Sequence, residues 1–159
     1  LDCYAVLDEA RLPLAAFTEA LDALGKTGYG RDASIGLGKF ERVGEPDVPA
    51  WQSRAAKSWL ALAPLAPQNL GFDAGASFYQ VKTHFGRHGD TVATGENPFK
   101  RPLLTARTGA VFSLPEAAET LFLGRGIGGV SIADARAVHQ GYAPVMPLPD
   151  MPKPQEGLQ

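Results

Sequence analysis

Four glycines, Gly28, Gly30, Gly36 and Gly38, fall within eleven residues of the segment GYGRDASIGLGKF. Each lacks a Cβ, so each offers a point where another group can approach the backbone or where φ can turn positive. A loop built this way can present backbone N–H groups to phosphate. Arg31 and Lys39 add positive charge, Ser34 adds a hydroxyl donor, and Tyr29 supplies a face on which a base can stack. The same glycines also suit a tight connection with solvated polar residues, and spacing alone does not choose between the two.

Two better-known phosphate motifs fail here. A P-loop would need Gly at 33 and Ser or Thr at 40 around Gly38-Lys39, and those positions hold Ala33 and Phe40. A dinucleotide fingerprint on Gly28, Gly30 and Ala33 needs a strand before it and a helix after it, and the order here is reversed. A second run, LFLGRGIGG, does satisfy G-x-G-x-x-G with Gly124, Gly126 and Gly129 after a strand-like stretch. About 20 positions on, where the ribose-binding acid should stand, there is Pro149. A hairpin or RNA-facing turn, with Arg125 as its one charged side chain, is the expectation there, and a nucleotide-binding enzyme is a ranked alternative.

His84 and His88 have the i, i+4 spacing of a helical zinc pair, but Gly86 and Gly89 interrupt it and no Glu follows His84. They read as polar residues of a strand and its turn. His139 has no nucleophile or carboxylate partner nearby in sequence. Acid–base work by His84, His88 or His139 would make a metal-independent ribonuclease, the other alternative. Between Lys82 and Arg107, five basic residues (Lys82, Arg87, Lys100, Arg101, Arg107) stand against Asp90 and Glu96, a local net of +3 in a chain of net −2. One basic face fits phosphate binding, and a solvated hairpin surface fits the same residues. The stretch from Gly86 to Asn97 has loop composition and is expected to order on RNA or a partner.

The elements that must position these groups follow from the punctuation of the chain. At 159 residues it can bury a core. The single cysteine, Cys3, excludes an internal disulfide or a cysteine-based metal site and suits a reducing cytoplasm. A net charge of −2 excludes an autonomous non-specific nucleic-acid binder, so any such site is local. No run approaches the roughly 20 apolar residues of a membrane span, and no secretory signal is visible; no cofactor is implied.

Cys3 to Leu7 read as a buried strand. A helix is expected from Pro13 through Leu14, Phe17, Leu21 and Leu24, with Gly25 as its C′ residue, and GKFERV as another strand. A boundary is expected near residues 44 to 57. Short strands are expected at Ser58 to Leu65, Ser77 to Phe85, Leu103 to Ala106, Gly109 to Leu114, Thr120 to Leu123 and Tyr142 to Leu148, and a disordered tail at PDMPKPQEGLQ. With 18 glycines and 13 prolines, turns outnumber long helices. The fold class is α+β. Residues 1–45 give the order strand, helix, glycine loop, strand, as in the second half of a ferredoxin-like (RRM-like) βαββαβ domain; residues 46–149 form a strand-rich domain and 150–159 a tail. The missing initiator Met and the immediate strand-like start suggest the C-terminal portion of a longer protein.

Gly28-Tyr29-Gly30, five residues, then Gly36-Leu37-Gly38 resembles the G-hydrophobic-G-x5-G-x-G loop of the CRISPR-associated RAMP superfamily, where it joins the last helix and last strand of a ferredoxin-like domain. The segments NPFKRPLLTARTGAVF (97–112) and GYAPVMPL (141–148) are similar to those of the subunit-four family of type III-A (Csm) effector complexes. The resemblance implies a non-catalytic cap in antiviral defence. Such a cap holds the 5′ repeat-derived handle of the CRISPR RNA and contacts the large polymerase-like subunit and the backbone RAMP subunits. Tyr29, Arg31, Ser34, Lys39, Lys100 and Arg101, with the four loop glycines, are the expected RNA contacts.

Overall fold

A computed structural model describes residues 2–30, 32–52, 54–88, 95 and 97–149. The expected tail from residue 150, most of the expected RNA-ordered loop, and the expected contact Arg31 lie outside the described residues. The chain divides into two units, residues 5–49 and residues 1–4 with 50–159. It is α+β: one α-helix and six strands are described. No helix among the described residues is long and apolar enough to cross a membrane.

In the unit of residues 5–49, helix α1 spans Leu14–Thr27. The spacing of Leu14, Phe17, Leu21 and Leu24 places them on one side, and Pro13, extended at φ −57° and ψ 144°, lets the first turn start on its carbonyl, which accepts from the Phe17 amide at 3.0 Å. The helix does not stop at Gly25, as expected, but runs to Thr27. Gly28, at φ +96°, closes it with its N–H donating to the Leu24 carbonyl at 2.8 Å.

Gly25 is inside the helix for another reason. A Cβ there would strike the Phe40 carbonyl, and the Phe40 amide donates to the Gly25 carbonyl at 3.2 Å. The segment expected as the strand GKFERV is therefore an irregular stretch tied to the helix at Phe40. Farther on, Arg42 grips Asp22 with two bonds of 3.2 and 3.3 Å. Residues 3–7 are also unladdered and largely exposed, not a buried strand. A strand needs a paired strand to satisfy its backbone along its length, and neither segment has one among the described residues. In this unit only Gly25 and Gly28 are fully buried among the described residues.

The other unit is built on a four-stranded antiparallel sheet in the order β4-β1-β6-β5. β1 is Ala56–Ala61, β2 Val81–His84, β3 Leu103–Ala106, β4 Val111–Ala118, β5 Phe122–Gly124 and β6 Tyr142–Leu148. Trp59, Phe112, Leu65, Val130 and Val145 are its largest fully buried side chains. Phe112 stacks on Tyr79 at 5.2 Å and meets Phe72 edge-on at 5.1 Å. Between β1 and β4, the Ser113 hydroxyl donates to the Ala76 carbonyl at 2.8 Å, so its contact with the Ser58 hydroxyl, also 2.8 Å, has Ser58 as donor.

β3 and β6 match their expected limits, while the other strands shift. β1 ends at Ala61, and Leu65 makes only an isolated bridge to Ala106. β2 begins at Val81 because Phe78 bridges to Val111 instead. β4 runs on to Ala118 through Pro115, tolerated because β4 is an edge strand. β6 holds Pro144 and Pro147 in an interior position. It pairs with β5 through residues 142–144 and with β1 through residues 145–148, so each stretch is ladder-bound on one side. β2 and β3 form a separate antiparallel pair in which His84 faces Leu103 and Val81 faces Ala106.

Candidate nucleic-acid interface

The glycine loop of residues 28–40 is closed at its neck. The Tyr29 amide donates to the Gly38 carbonyl at 2.9 Å, and the two rails come so close that a Cβ on Gly28 would strike the Leu37 carbonyl and one on Gly38 the Tyr29 carbonyl. Gly28 and Gly38 are thus required by the neck itself. Gly30 and Gly36 lie beyond it, with open space where a Cβ would be.

The interior of the loop is a short 3₁₀ turn, Ala33–Ile35. The amides of Ala33, Ile35, Gly36 and Leu37 donate to the carbonyls of Gly30, Asp32, Ala33 and Asp32 at 3.0–3.3 Å. These four N–H groups face inward, so the row of amides that a glycine loop can offer to phosphate is partly used by the loop. Side chains are what it presents: Tyr29 is 71% exposed, and Ser34 and Lys39 are exposed. Ile35 and Leu37 are exposed beside them.

Lys100 and Arg101 belong to the other unit, where the five basic residues divide along the β2–β3 pair. Arg107 lies past the Val81 end of it, turned to Gln80 at 3.4 Å, and Lys82 is exposed on β2. Lys100, Arg101 and Arg87 gather at the His84 end. The Lys100 amide donates to the Gly86 carbonyl at 2.9 Å, and the Arg101 amide to the Val130 carbonyl at 2.7 Å. Arg87 lies over the exposed ring of Phe99, 5.5 Å from its centroid. Residues 97–102 and Ile132 line an open groove of about 300 Å³ there.

The second glycine run lies beside these cations. β5 ends at Gly124, where a Cβ would strike the Gly141 carbonyl on β6's approach, and no helix follows it among the described residues. This is a turn, with Ile127 and His139 exchanging bonds of 2.9 and 3.0 Å and the Arg101 guanidinium 3.3 Å from the Gly129 carbonyl. The dinucleotide geometry is not formed.

The bridge at Ile127 brings His139 against His84, with ring centroids 4.9 Å apart. Burial first, then the charges of His84 and Lys100, hold the His139 imidazole below its ordinary value of 6.5. His88 turns elsewhere, its Nε2 2.7 Å from the Ser131 hydroxyl. Asp134 nearby is held by Arg136 through two bonds of 3.1 Å and lies below the usual carboxylate range for that reason. Among the described residues no group of three or more potential metal ligands is formed.

Single-residue inspection missed the contact of His84 with His139 and the exposed rings of Phe85 and Phe99. The dipeptides His84-Phe85 and Phe99-Lys100 carry a signal: basic and aromatic residues alternate as in surfaces that bind single strands. No protein-family model matches the chain, and no curated protein matches it.

Proposed function

We propose that the chain is a non-catalytic RNA-binding subunit of a type III CRISPR effector complex. It holds the 5′ repeat-derived handle of the CRISPR RNA and contacts the large polymerase-like subunit and the backbone RAMP subunits in the cytoplasm. The order helix, glycine loop, irregular segment is then the end of a ferredoxin-like RAMP domain.

The observation that carries this reading is the closed neck. Gly28 and Gly38 belong to the outer pair of a G-x-G-x5-G-x-G spacing, and the bond between Tyr29 and Gly38 makes that spacing a single loop with an aromatic face, a hydroxyl and an ammonium on its outside. A splayed base can stack on Tyr29 while Lys39 meets the backbone phosphate.

Fluorescence anisotropy with single-stranded repeat RNA tests the reading. Tyr29→Ala with Lys39→Glu should weaken binding by at least about tenfold, since one stacked base is worth ~1–3 kcal/mol. The slope of affinity against salt should fall by about 0.7 for each phosphate that is no longer neutralised. Unchanged affinity and slope would refute the loop as the RNA-binding element, and metal-independent cleavage abolished by His84→Ala or His139→Ala would refute the non-catalytic role.

A further inference from the structure

We propose that His84, His139 and Lys100 form a phosphate site of their own, filled by a backbone phosphate of single-stranded RNA and strengthened as pH falls. The RNA occupant rests on the reading above; the anion site rests on the following geometry.

Three separate segments bring the basic side chains together. His84 ends β2, Lys100 is tied by its amide to the Gly86 carbonyl, and His139 is held by its two bonds to Ile127. Gly86 stands between two of them: a Cβ there would lie 3.2 Å from the Lys100 stem and 3.6 Å from His84 Nε2. All three side chains are half-buried, so water screens them only in part.

The surroundings supply no counter-charge among the described residues. The groups that bear on His139 are His84 and Lys100, both basic. Lys82 on the same strand as His84, Arg101 on the adjoining segment, and Arg125 on the second glycine run add further positive charge. His88 is bonded to Ser131, and the carboxylate of Asp134 is committed to Arg136. A phosphate would set an opposite charge against three clustered basic side chains.

Exposed aromatics fit the anion being part of a nucleic acid. Phe85 is 73% exposed next to His84, and Phe99 is 66% exposed next to Lys100. A strand with its phosphate at the cluster can stack bases on either ring.

Binding and protonation are then linked. Without an anion, burial and then the neighbouring His84 and Lys100 disfavour the charged form of His139. A phosphate reverses that repulsion, so binding takes up protons and affinity rises as pH falls.

The full chain would be titrated with pentauridylate lacking terminal phosphates and, separately, with inorganic sulfate, both constant in charge between about pH 5.5 and about pH 8. Histidine ring signals would be followed by NMR. Pentauridylate should bind about tenfold more tightly at the lower pH, with the His139 signal shifting toward the charged form. His84→Gln with His139→Gln should abolish the pH dependence, and Lys100→Met should weaken binding at both pH values. RNA binding with no pH dependence, or with one that survives the double substitution, overturns the site and leaves the RNA-binding function standing. Absence of pentauridylate binding at either pH overturns the RNA occupant, and a sulfate response of His139 in that case identifies a site for free anions only.

Discussion

Replacing Gly38 by alanine tests whether the loop is held by its neck. The residue sits at φ +73°, and its new Cβ would fall on the Tyr29 carbonyl oxygen, with the Tyr29 carbonyl carbon at 3.0 Å and the amide nitrogen at 3.1 Å. Left-handed φ costs an alanine roughly 1–2 kcal/mol. The obstacle is backbone on the opposite rail, so the rails must part, which breaks the 2.9 Å bond from Tyr29 to Gly38 and costs about 0.5–1.5 kcal/mol more. The sum is about 1.5–3.5 kcal/mol.

This unit has no fully buried side chain among the described residues to resist local opening. Amide hydrogen exchange at Tyr29 should therefore speed up by roughly 10- to 300-fold, at 1.4 kcal/mol per factor of ten. Gly36→Ala is the control: its φ of +84° and ψ of 8° are left-handed, but nothing lies within 4 Å of the new Cβ. It should cost only about 1 kcal/mol. Tyr29 exchange within about threefold of the parent in Gly38→Ala would refute the neck as the device that holds the loop.

Three further outcomes are expected. Ser113→Ala removes both the acceptor for Ser58 and the donor to Ala76, and urea unfolding should show a loss of about 1–3 kcal/mol; Ser58→Ala leaves the Ala76 bond intact and should cost less. Equal losses would show that the donor direction is wrong. Because the folded His139 titrates below its ordinary 6.5, the unfolded chain binds more protons just below that value, so stability should fall as pH drops through it. Melting of His139→Gln across the same range should lack that component, and an identical profile would count against it. The indole nitrogen of Trp59 has no partner among the described residues although its ring is fully buried. Trp59→Phe should cost less than about 1.5 kcal/mol, against about 3–5 for Trp59→Ala, and similar losses for both in chemical denaturation would indicate a bonded indole.

The existence of helix α1 and the limits of β3 and β6 were legible from the sequence because their signals are local: a repeat of three to four residues from Leu14 to Leu24, and short apolar stretches cut by Gly and Pro. The place of the glycine loop after a helix followed from the same order. Gly25 misled because helix-ending glycines and close-approach glycines are identical as letters, and only Phe40, fifteen positions away, tells them apart. Residues 3–7 and 38–43 misled because β propensity does not supply a ladder partner.

The sequence by itself determined which residue types could meet a phosphate: Tyr29, Ser34 and Lys39 in one glycine loop, and Lys100 with Arg101 in a basic stretch. Tertiary structure alone decided which of them stand together. It turned loop amides inward, sent Arg107 to the other end of the β2–β3 pair, and seated His139 against His84 beside Lys100. Side-chain chemistry and backbone preference are properties of a residue and its neighbours, whereas the field at an imidazole is set by charges close in space from segments distant in sequence.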